Sequence, residues 1–412
     1  MRIHYAWVIA AISFLILIAS AGVRATPSIL MVPLEAEFGW TRAAISAAIA
    51  VNIALFGMIG PFAASLMNRF GIRRIVVSAL LVLAVAVGVT SQMTRLWQFT
   101  LLWGVLVGSA SGMTALVFAA IVTNRWFEER RGLVIGVLSA ANATGQLVFL
   151  PLLATTVVAS GWRSASTLVA IAAAIMSLLA FLFLRDRPED LGLKPYGWTH
   201  ATVAPTAPPK SPLAALAWAS KQKAFWVLAG SFFVCGASTN GLVGTHLIPA
   251  CHDSGIAEVQ AAGLLAMMGI FDILGTSASG WLTDRYSGRY LLFAYYALRG
   301  ISLLFLPATL AQGGTALAWF AIFYGLDWIA TVPPTVRLTS DYFGRENVGV
   351  VYGWIGASHQ LGASLAAFGA GAIRTGLGKY DLAFWLSGGV CFAVAFVFLW
   401  PRAWSTQRSA VR

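Results

Sequence analysis

Arg24, Asp272, Arg299, Asp327 and His359 stand inside long apolar stretches of this 412-residue chain, where each side chain can do a particular kind of chemistry. A guanidinium grips a carboxylate through two parallel hydrogen bonds, so Arg24 is a candidate anchor for an anion, against snorkelling to an interface or an internal salt bridge. A carboxyl group sheltered from bulk water can exchange a proton with a bound substrate's surroundings. Asp272 is therefore a candidate proton site, with a structural pair to another helix as the alternative. Arg299 is expected to pair with Asp327 or Asp272, since removing one partner of a buried ion pair costs about 3–5 kcal/mol. His359 is either a substrate or proton site or a satisfied core polar group. Amides and hydroxyls share the same stretches: Asn142, Gln146, Asn240, Thr245, Thr276 and Gln360, with His246 as a lesser candidate. Asn142 and Gln146, four apart, share a helix face. The alternative for each of these groups is a hydrogen bond between helices.

The elements that must hold these groups follow from composition. Only 10% of residues are charged while 59% are hydrophobic, and the mean hydropathy is +0.79. That is the composition of a polytopic membrane protein. A hydrocarbon core about 30 Å thick needs about 20 apolar residues per helix. Twelve such segments are expected, near Trp7–Leu34, Ala43–Met67, Ile75–Met93, Leu96–Thr123, Gly132–Val157, Ser164–Leu184, Ala224–Ala250, Ala257–Leu282, Tyr290–Ala308, Thr315–Leu338, Val348–Ile373 and Leu382–Trp400. A carboxylate in the middle of a span costs about 2.5–3.5 kcal/mol on insertion, so Asp272 needs a functional reason to be there.

The net charge of +12 does not describe a nucleic-acid binder, because the basic residues lie in short loops rather than on one polar face. Among loop Lys and Arg, only Arg42, Arg95, Arg163, Arg374 and Lys379 fall on one side of the twelve-segment arrangement, and the rest share the other. By the positive-inside rule both termini and the long central loop are cytoplasmic. The apolar run that follows Arg2 reads as an uncleaved first helix. Cys235, Cys251 and Cys391 have neither pairing nor metal-ligand spacing and read as small buried hydrophobes. There is no Walker loop and no HExxH or other metal cluster, so the chain is read as a non-enzyme that needs no cofactor or metal.

Residues 185–223 form the single long polar segment, and its TVAPTAPPKSP run is too Pro-rich to be helical. It separates six segments in residues 1–184 from six in residues 224–412. The two halves also match in register. Pro33 and Pro249, Glu37 and Asp253, Gly39 and Gly255, Asn68 and Asp284, Arg69 and Arg285, and Phe127 and Phe343 are each 216 residues apart. After one inserted residue the offset is 217, aligning Gly136 with Gly353, Asn142 with His359, Gly145 with Gly362 and Gly161 with Gly378. A register held across several helices is an internal duplication in parallel orientation.

Two six-helix repeats, a cytoplasmic linker and basic turns after segments 2 and 8 together resemble the major facilitator superfamily. The turns are ASLMNRFGIRR, Ala64–Arg74, and GWLTDRYSGR, Gly280–Arg289, both similar to that family's GxLaDRxGRR signature. The resemblance implies a cytoplasmic gate of Asn68, Arg69 and Arg73 in one half and Asp284, Arg285 and Arg289 in the other. With Asn68 in place of Asp, the charge pairing is expected to rest more on Asp284 with Arg285.

Within the superfamily, RWFEERRGLVIGVLSAANATGQLVFLPL, Arg125–Leu152, and the opening run Gly22–Ser46 resemble monocarboxylate transporters and their bacterial oxalate/formate-type relatives. Those relatives carry an acid or amide at the position of Asp272 and an Arg one turn later, the pair taken to couple proton and substrate. Here the later residue is Thr276, and the alternative to an ion pair for Arg299 is that it supplies this missing charge from another helix. The Lys that oxalate/formate relatives use in segment 11 is also missing, which points to a monoanion.

The expectation is an all-α membrane protein of two pseudo-symmetric six-helix bundles in a bacterial inner membrane. It would move a small monocarboxylate or related anion with a proton, as a single functional unit. Arg24, Asn142, Gln146, Asn240, Thr245, Thr276, His359 and Gln360 would form the substrate site and Asp272, with His359, the proton site. The outer-loop residues His252 and Asp253 are expected in an extracellular gate. Two alternatives stand beside this: export of a neutral or cationic metabolite or drug, with Asp272 and Asp327 as counter-charges, and a non-transporting sensor.

Overall fold

The computed structural model describes residues 4–198, 211–344 and 347–400; the side chains of Pro61, Ala64, Leu116, Asn142 and Ala143 lie outside that description. Among the described residues the regular elements are all helices, with one isolated β-bridge between Phe127 and Tyr196. Its long helices are α1 Tyr5–Phe38, α2 Arg42–Phe70, α3 Ile72–Thr90, α4 Leu96–Trp126, α5 Arg131–Phe183, α6 Lys223–Asp253, α7 Glu258–Thr283, α8 Gly288–Gln312, α9 Gly314–Phe343, α10 Val348–Leu377 and α11 Asp381–Val397. By length and composition, nine helices among the described residues, α1 to α9, can cross a membrane. The large apolar side chains left on the outside, such as Val85, Leu178, Leu298, Phe305 and Phe323, are what a lipid-facing surface requires.

Local chemistry sets the ends and the breaks. The Thr41 hydroxyl accepts a hydrogen bond from the Ala44 amide at 3.2 Å and starts α2. Within α5 the backbone leaves helical geometry at Gly161 (φ 81°, ψ 166°), which splits that helix into the two segments expected from sequence. In α9 residues 328–331 form a turn before the helix resumes at Val332, because Pro333 and Pro334 supply no amide hydrogens and bar a regular helix behind them. The matching helix α4 breaks at Thr114 and Ala115, and Ala115 is 216 residues before Thr331, so the duplication extends to the breaks. Helices α4 and α6 also carry π-helical stretches, Thr100–Val107 and Ala237–Val243, the second containing Asn240. Such stretches frequently mark functional positions.

The halves meet along α2 with α10 and α5 with α7. Ser364 on α10 donates to the Ala50 carbonyl on α2 at 2.8 Å. Within the second half, Gly275 on α7 lies against the Leu326 backbone of α9 so closely that no side chain fits there. This contact holds α9 near Asp272.

At the linker end, the turns depart from the expected charge pairing. Among the described residues Asp284 forms no ion pair; Arg285 instead donates to the Trp281 carbonyl at 3.1 Å and lies over that indole, and Arg289 donates to the Phe398 carbonyl at 3.1 Å. The intact-looking motif therefore has its arginines turned onto their own half. In the first half, Asn68 accepts from Arg125 at 2.5 Å, Arg69 is exposed over the Phe70 ring, and the Arg73 guanidinium binds the Phe181 carbonyl. The acid absent at Asn68 is supplied in space by Asp186, whose carboxylate accepts from the Arg73 backbone amide at 2.8 Å, at the N-terminus of α3. Just beyond Asp186, Tyr196 packs among the His4, Trp7 and Phe127 rings. The start of the linker is thus part of the first half. The Pro-rich run of residues 202–212 falls mostly outside the described residues; a short helix, Pro212–Ala219, follows it.

Candidate functional site: a cavity between the halves

A cavity of about 70 Å³ lies between the two halves, where the π-helical stretch of α6 and the break of α9 approach α1, α2 and α5. Arg24, Gln146, Asn240, Thr245 and Gln360, all expected from sequence, line it. Asn52, Phe56 and Trp328 complete it and were not singled out beforehand. Arg24, half-buried, has its guanidinium carbon 4.6 Å from the Phe56 ring centroid. An aromatic face under a guanidinium holds the plane in place, and the N–H edges of that plane are what a planar anion engages. The Thr245 hydroxyl is used internally, donating to the Asn240 carbonyl at 2.8 Å, and Asn52 donates to the Trp103 carbonyl at 2.7 Å. Among the described residues no carboxylate lines this cavity.

Asp272 faces a second, smaller void of about 10 Å³ that shares Gln146, Leu265 and Trp328 with the first. It is 6% exposed, and one carboxylate oxygen accepts both the Thr276 hydroxyl and the Ile329 amide, each at 3.0 Å. Thr276 is therefore a ligand of Asp272 rather than part of the cavity wall, a correction that follows from i, i+4 geometry on α7.

His359 also departs from expectation. Its ring packs on Phe232 at 4.8 Å between centroids and turns towards α6, while its neighbour Gln360 takes the cavity position. Consecutive helical residues point about 100° apart, and packing of α10 on α6 gives Gln360 the cavity side and His359 the other. The Asn142 side chain lies outside the described residues.

Arg299 resolves its choice of partner in favour of Asp327, with Nε 2.7 Å from the carboxylate. It is 1% exposed and outside the cavity, so it does not stand in for the arginine absent at Thr276. Cys235 is more than a small hydrophobe: its sulfur accepts from Arg299 at 2.9 Å and lies 3.3 Å from the Thr331 hydroxyl.

At the end away from the linker, a polar clamp closes the space between the halves. Arg42, 2% exposed at the start of α2, donates to Glu35 of α1, to Asp253 of α6 at 3.2 Å and to the Tyr380 hydroxyl at 3.0 Å. Asp253 also takes Arg374 of α10 at 2.6 Å. The Tyr380 hydroxyl, having accepted from Arg42, donates to His246 Nδ1 at 3.1 Å, and His246 Nε2 donates to the Ala367 carbonyl at 2.7 Å. Burial pushes the Tyr380 phenol up to about 12 against the opposing pull of Arg42, so it stays a neutral relay in this chain of bonds. Asp253 thus ties the two halves together at this end, while His252 pairs with Glu258 at 3.4 Å and His246 belongs to the clamp, not the cavity. The signal for the clamp was available in the lone basic residues Arg42 and Arg374 on the side otherwise poor in charge.

Ser46 is fully buried beneath the clamp, beside Gly371. Removing one partner of a buried charge pair costs about 3–5 kcal/mol, so Arg42→Ala is expected to open this end. A Ser46→Cys reporter labelled with an impermeant maleimide should react at least about tenfold faster when Arg42→Ala is added, a change of about 1.4 kcal/mol in opening. Equal labelling rates would show that Arg42 does not hold this end closed.

An all-helical membrane protein with a polar cavity between duplicated halves has the form of a carrier. A family model described as Major Facilitator Superfamily matches residues 12–367. The chain belongs to the Major Facilitator Superfamily of membrane transporters. It is 23% identical over 373 residues to an uncharacterized MFS-type transporter, YcxA, of Bacillus subtilis, covering 89% of this chain and 87% of that one. With monocarboxylate transporter 13 of Rattus norvegicus it shares 26% identity over 382 residues, 92% of this chain and 84% of the relative. Its fold matches the crystal structure of an inward-facing, unoccupied bacterial homolog of the human lysosomal transporter Spinster with a TM-score of 0.75 at 15% identity, covering 98% of each chain.

Proposed function

We propose that the chain is a secondary active transporter that moves a small monocarboxylate or related organic anion together with a proton by alternating access. The observation that carries this reading is Arg24 set over Phe56 in a cavity whose other polar lining groups are amides and hydroxyls, with Asp272 in the adjoining void. Arg24 holds the anion; Gln146, Asn240, Thr245 and Gln360, with Asn142 on the same helix face as Gln146, shape the pocket; Asp272 carries the proton. Because the cavity wall presents a cation and no described carboxylate, a cationic substrate is disfavoured.

Counting the two arms of α5 separately and adding α10 and α11 to the nine candidate spans gives twelve crossings in two six-helix bundles, residues 1–184 and 224–412. In this reading both termini lie on the cytoplasmic side of a bacterial plasma membrane, an orientation supported by the Lys and Arg bias of the loops. The clamp around Arg42 then faces outward. One chain encloses the cavity, so the functional unit is a monomer.

A thermal-shift screen of the purified protein with small carboxylates and small amines at two pH values tests the substrate class. Stabilisation by a monocarboxylate, stronger at the lower pH and absent with amines, is expected. Stabilisation by amines alone would replace this reading with the exporter. Counterflow of the stabilising compound in liposomes separates transport from sensing.

A further inference from the structure

The break of α9 frees backbone groups at the depth of the cavity; some are bonded within α9 itself, such as the Ile329 carbonyl to the Val332 amide at 2.9 Å, and four are held by α7 and α8. The Ile329 amide donates to Asp272 on α7 at 3.0 Å, and the Ala330 carbonyl accepts from Ser279 on the same helix at 2.6 Å. The carbonyls of Asp327 and Trp328 both accept from one nitrogen of Arg299 on α8, the second at 3.2 Å. The remaining nitrogens of that guanidinium bind the Asp327 carboxylate at 2.7 Å and the Cys235 sulfur of α6 at 2.9 Å. A cation on the open carbonyls at a helix C-terminus satisfies groups that have no intrahelical partner and complements the helix dipole. The first half lacks such a cation: the residue 216 positions before Arg299 is Leu83, and the matching break at Thr114 is tied only by the Ser20 hydroxyl at 2.9 Å among its described side-chain partners.

We infer that Arg299 is a positioning residue for the proton site: by capping the first arm of α9 it fixes residues 328–331 so that the Ile329 amide stays on Asp272. The planar fork matters because it reaches the carboxylate, two carbonyls and the thiol at once, which an ammonium cannot do. This rests on Asp272 being the proton site. The titratable groups that surround Arg299 are Asp327 and Tyr324 on α9, Cys235 on α6, Tyr296 on α8, Cys391 on α11 and, beyond Cys235, His359 on α10; Asp272 lies across the break on α7.

The test uses the infrared carbonyl band of protonated Asp272 in the reconstituted full chain, assigned by its loss in Asp272→Asn, and follows it as a function of pH without substrate. Arg299→Lys keeps the charge and loses the fork. It is expected to displace the midpoint of that band by about one pH unit, the tenfold change in proton affinity that goes with one charge-assisted hydrogen bond. Ser279→Ala, which releases the Ala330 carbonyl of the same break without changing any charge, is expected to move it in the same sense by less. The control is Gly71→Ala, which strains the positive-φ turn (φ 91°) between α2 and α3 in the other half, and so lowers stability without touching α7, α8 or α9. Its midpoint is expected to stay put.

An unchanged midpoint in both Arg299→Lys and Ser279→Ala, or an equal displacement in Gly71→Ala, overturns the positioning role. If no band titrates in the native protein, the proton-site reading of Asp272 falls, and this inference with it.

Discussion

Arg24→Ala is expected to abolish carboxylate uptake driven by a pH gradient in proteoliposomes and to weaken carboxylate binding by more than about 100-fold, about 3 kcal/mol. The magnitude follows from what the side chain would do. Truncating one partner of a desolvated charge pair costs about 2–5 kcal/mol, much of it the penalty of leaving the other charge without its counter-charge. Among the described residues lining the cavity, Arg24 is the one cation, and the amides of Gln146, Asn240 and Gln360 can donate hydrogen bonds but cannot neutralise an anion. Its perch on Phe56, at 4.6 Å, means that the guanidinium needs little reorganisation to meet a carboxylate. Arg24→Lys is expected to retain partial binding, because an ammonium keeps the charge but loses both the paired geometry and part of the aromatic contact. Isothermal binding of the carboxylate found by thermal shift, together with uptake, reads both effects. Undiminished uptake by Arg24→Ala would remove Arg24 from the site.

How much of this was legible in the sequence depends on which interactions are local. The span positions, the duplication and the cavity residues Arg24, Gln146, Asn240, Thr245 and Gln360 follow from periodicity and from the cost of polar groups in hydrocarbon. His359 and Gln360 were both candidates because depth along a helix is legible while rotation about its axis is set by packing. Here the Gly236 backbone meets that of His359 too closely to admit a side chain, and this contact between α6 and α10 fixes the rotation. Phe56 and Trp328 were invisible for another reason: an aromatic residue in a membrane helix reads as lipid-facing or core until its partner is known. The clamp joins Glu35, Arg42, Asp253, Arg374 and Tyr380 from four helices and a turn; the isolated basic residues Arg42 and Arg374 mark its place in the sequence, but the partners they meet are long-range and do not follow from spacing. The linker-end gate failed in the opposite way. The motif was plain, but Arg285 and Arg289 turn onto nearby carbonyls, and the acid that joins the first-half turn comes from Asp186, more than a hundred residues along the chain.

Asp272→Asn is expected to leave carboxylate exchange intact while eliminating accumulation against a gradient in response to an imposed pH difference. The substitution is isosteric, and the amide oxygen can keep both bonds, from Thr276 and from the Ile329 amide, so the break of α9 stays in place. What changes is the count of charges that must cross. With Arg24 and an ionised Asp272 the empty site is neutral, and Arg299 with Asp327 is a neutral pair of its own. Adding a carboxylate alone leaves one net negative charge in a low-dielectric site, and a proton on Asp272 restores neutrality. Both the empty and the doubly loaded forms can then reorient, while the half-loaded form is penalised. That asymmetry is the coupling.

In the Asp272→Asn variant the loaded form is still neutral, so exchange of substrate for substrate continues. The empty form now carries one net positive charge, on Arg24. Its return is opposed by desolvation and becomes sensitive to membrane potential, at up to about 2.3 kcal/mol per 100 mV for a charge crossing the whole field. The variant should therefore show exchange rates within about threefold of native, no uphill uptake driven by a pH gradient, and residual net uptake that responds to an imposed potential. Uphill uptake that still follows the pH gradient in Asp272→Asn would move the proton to another group.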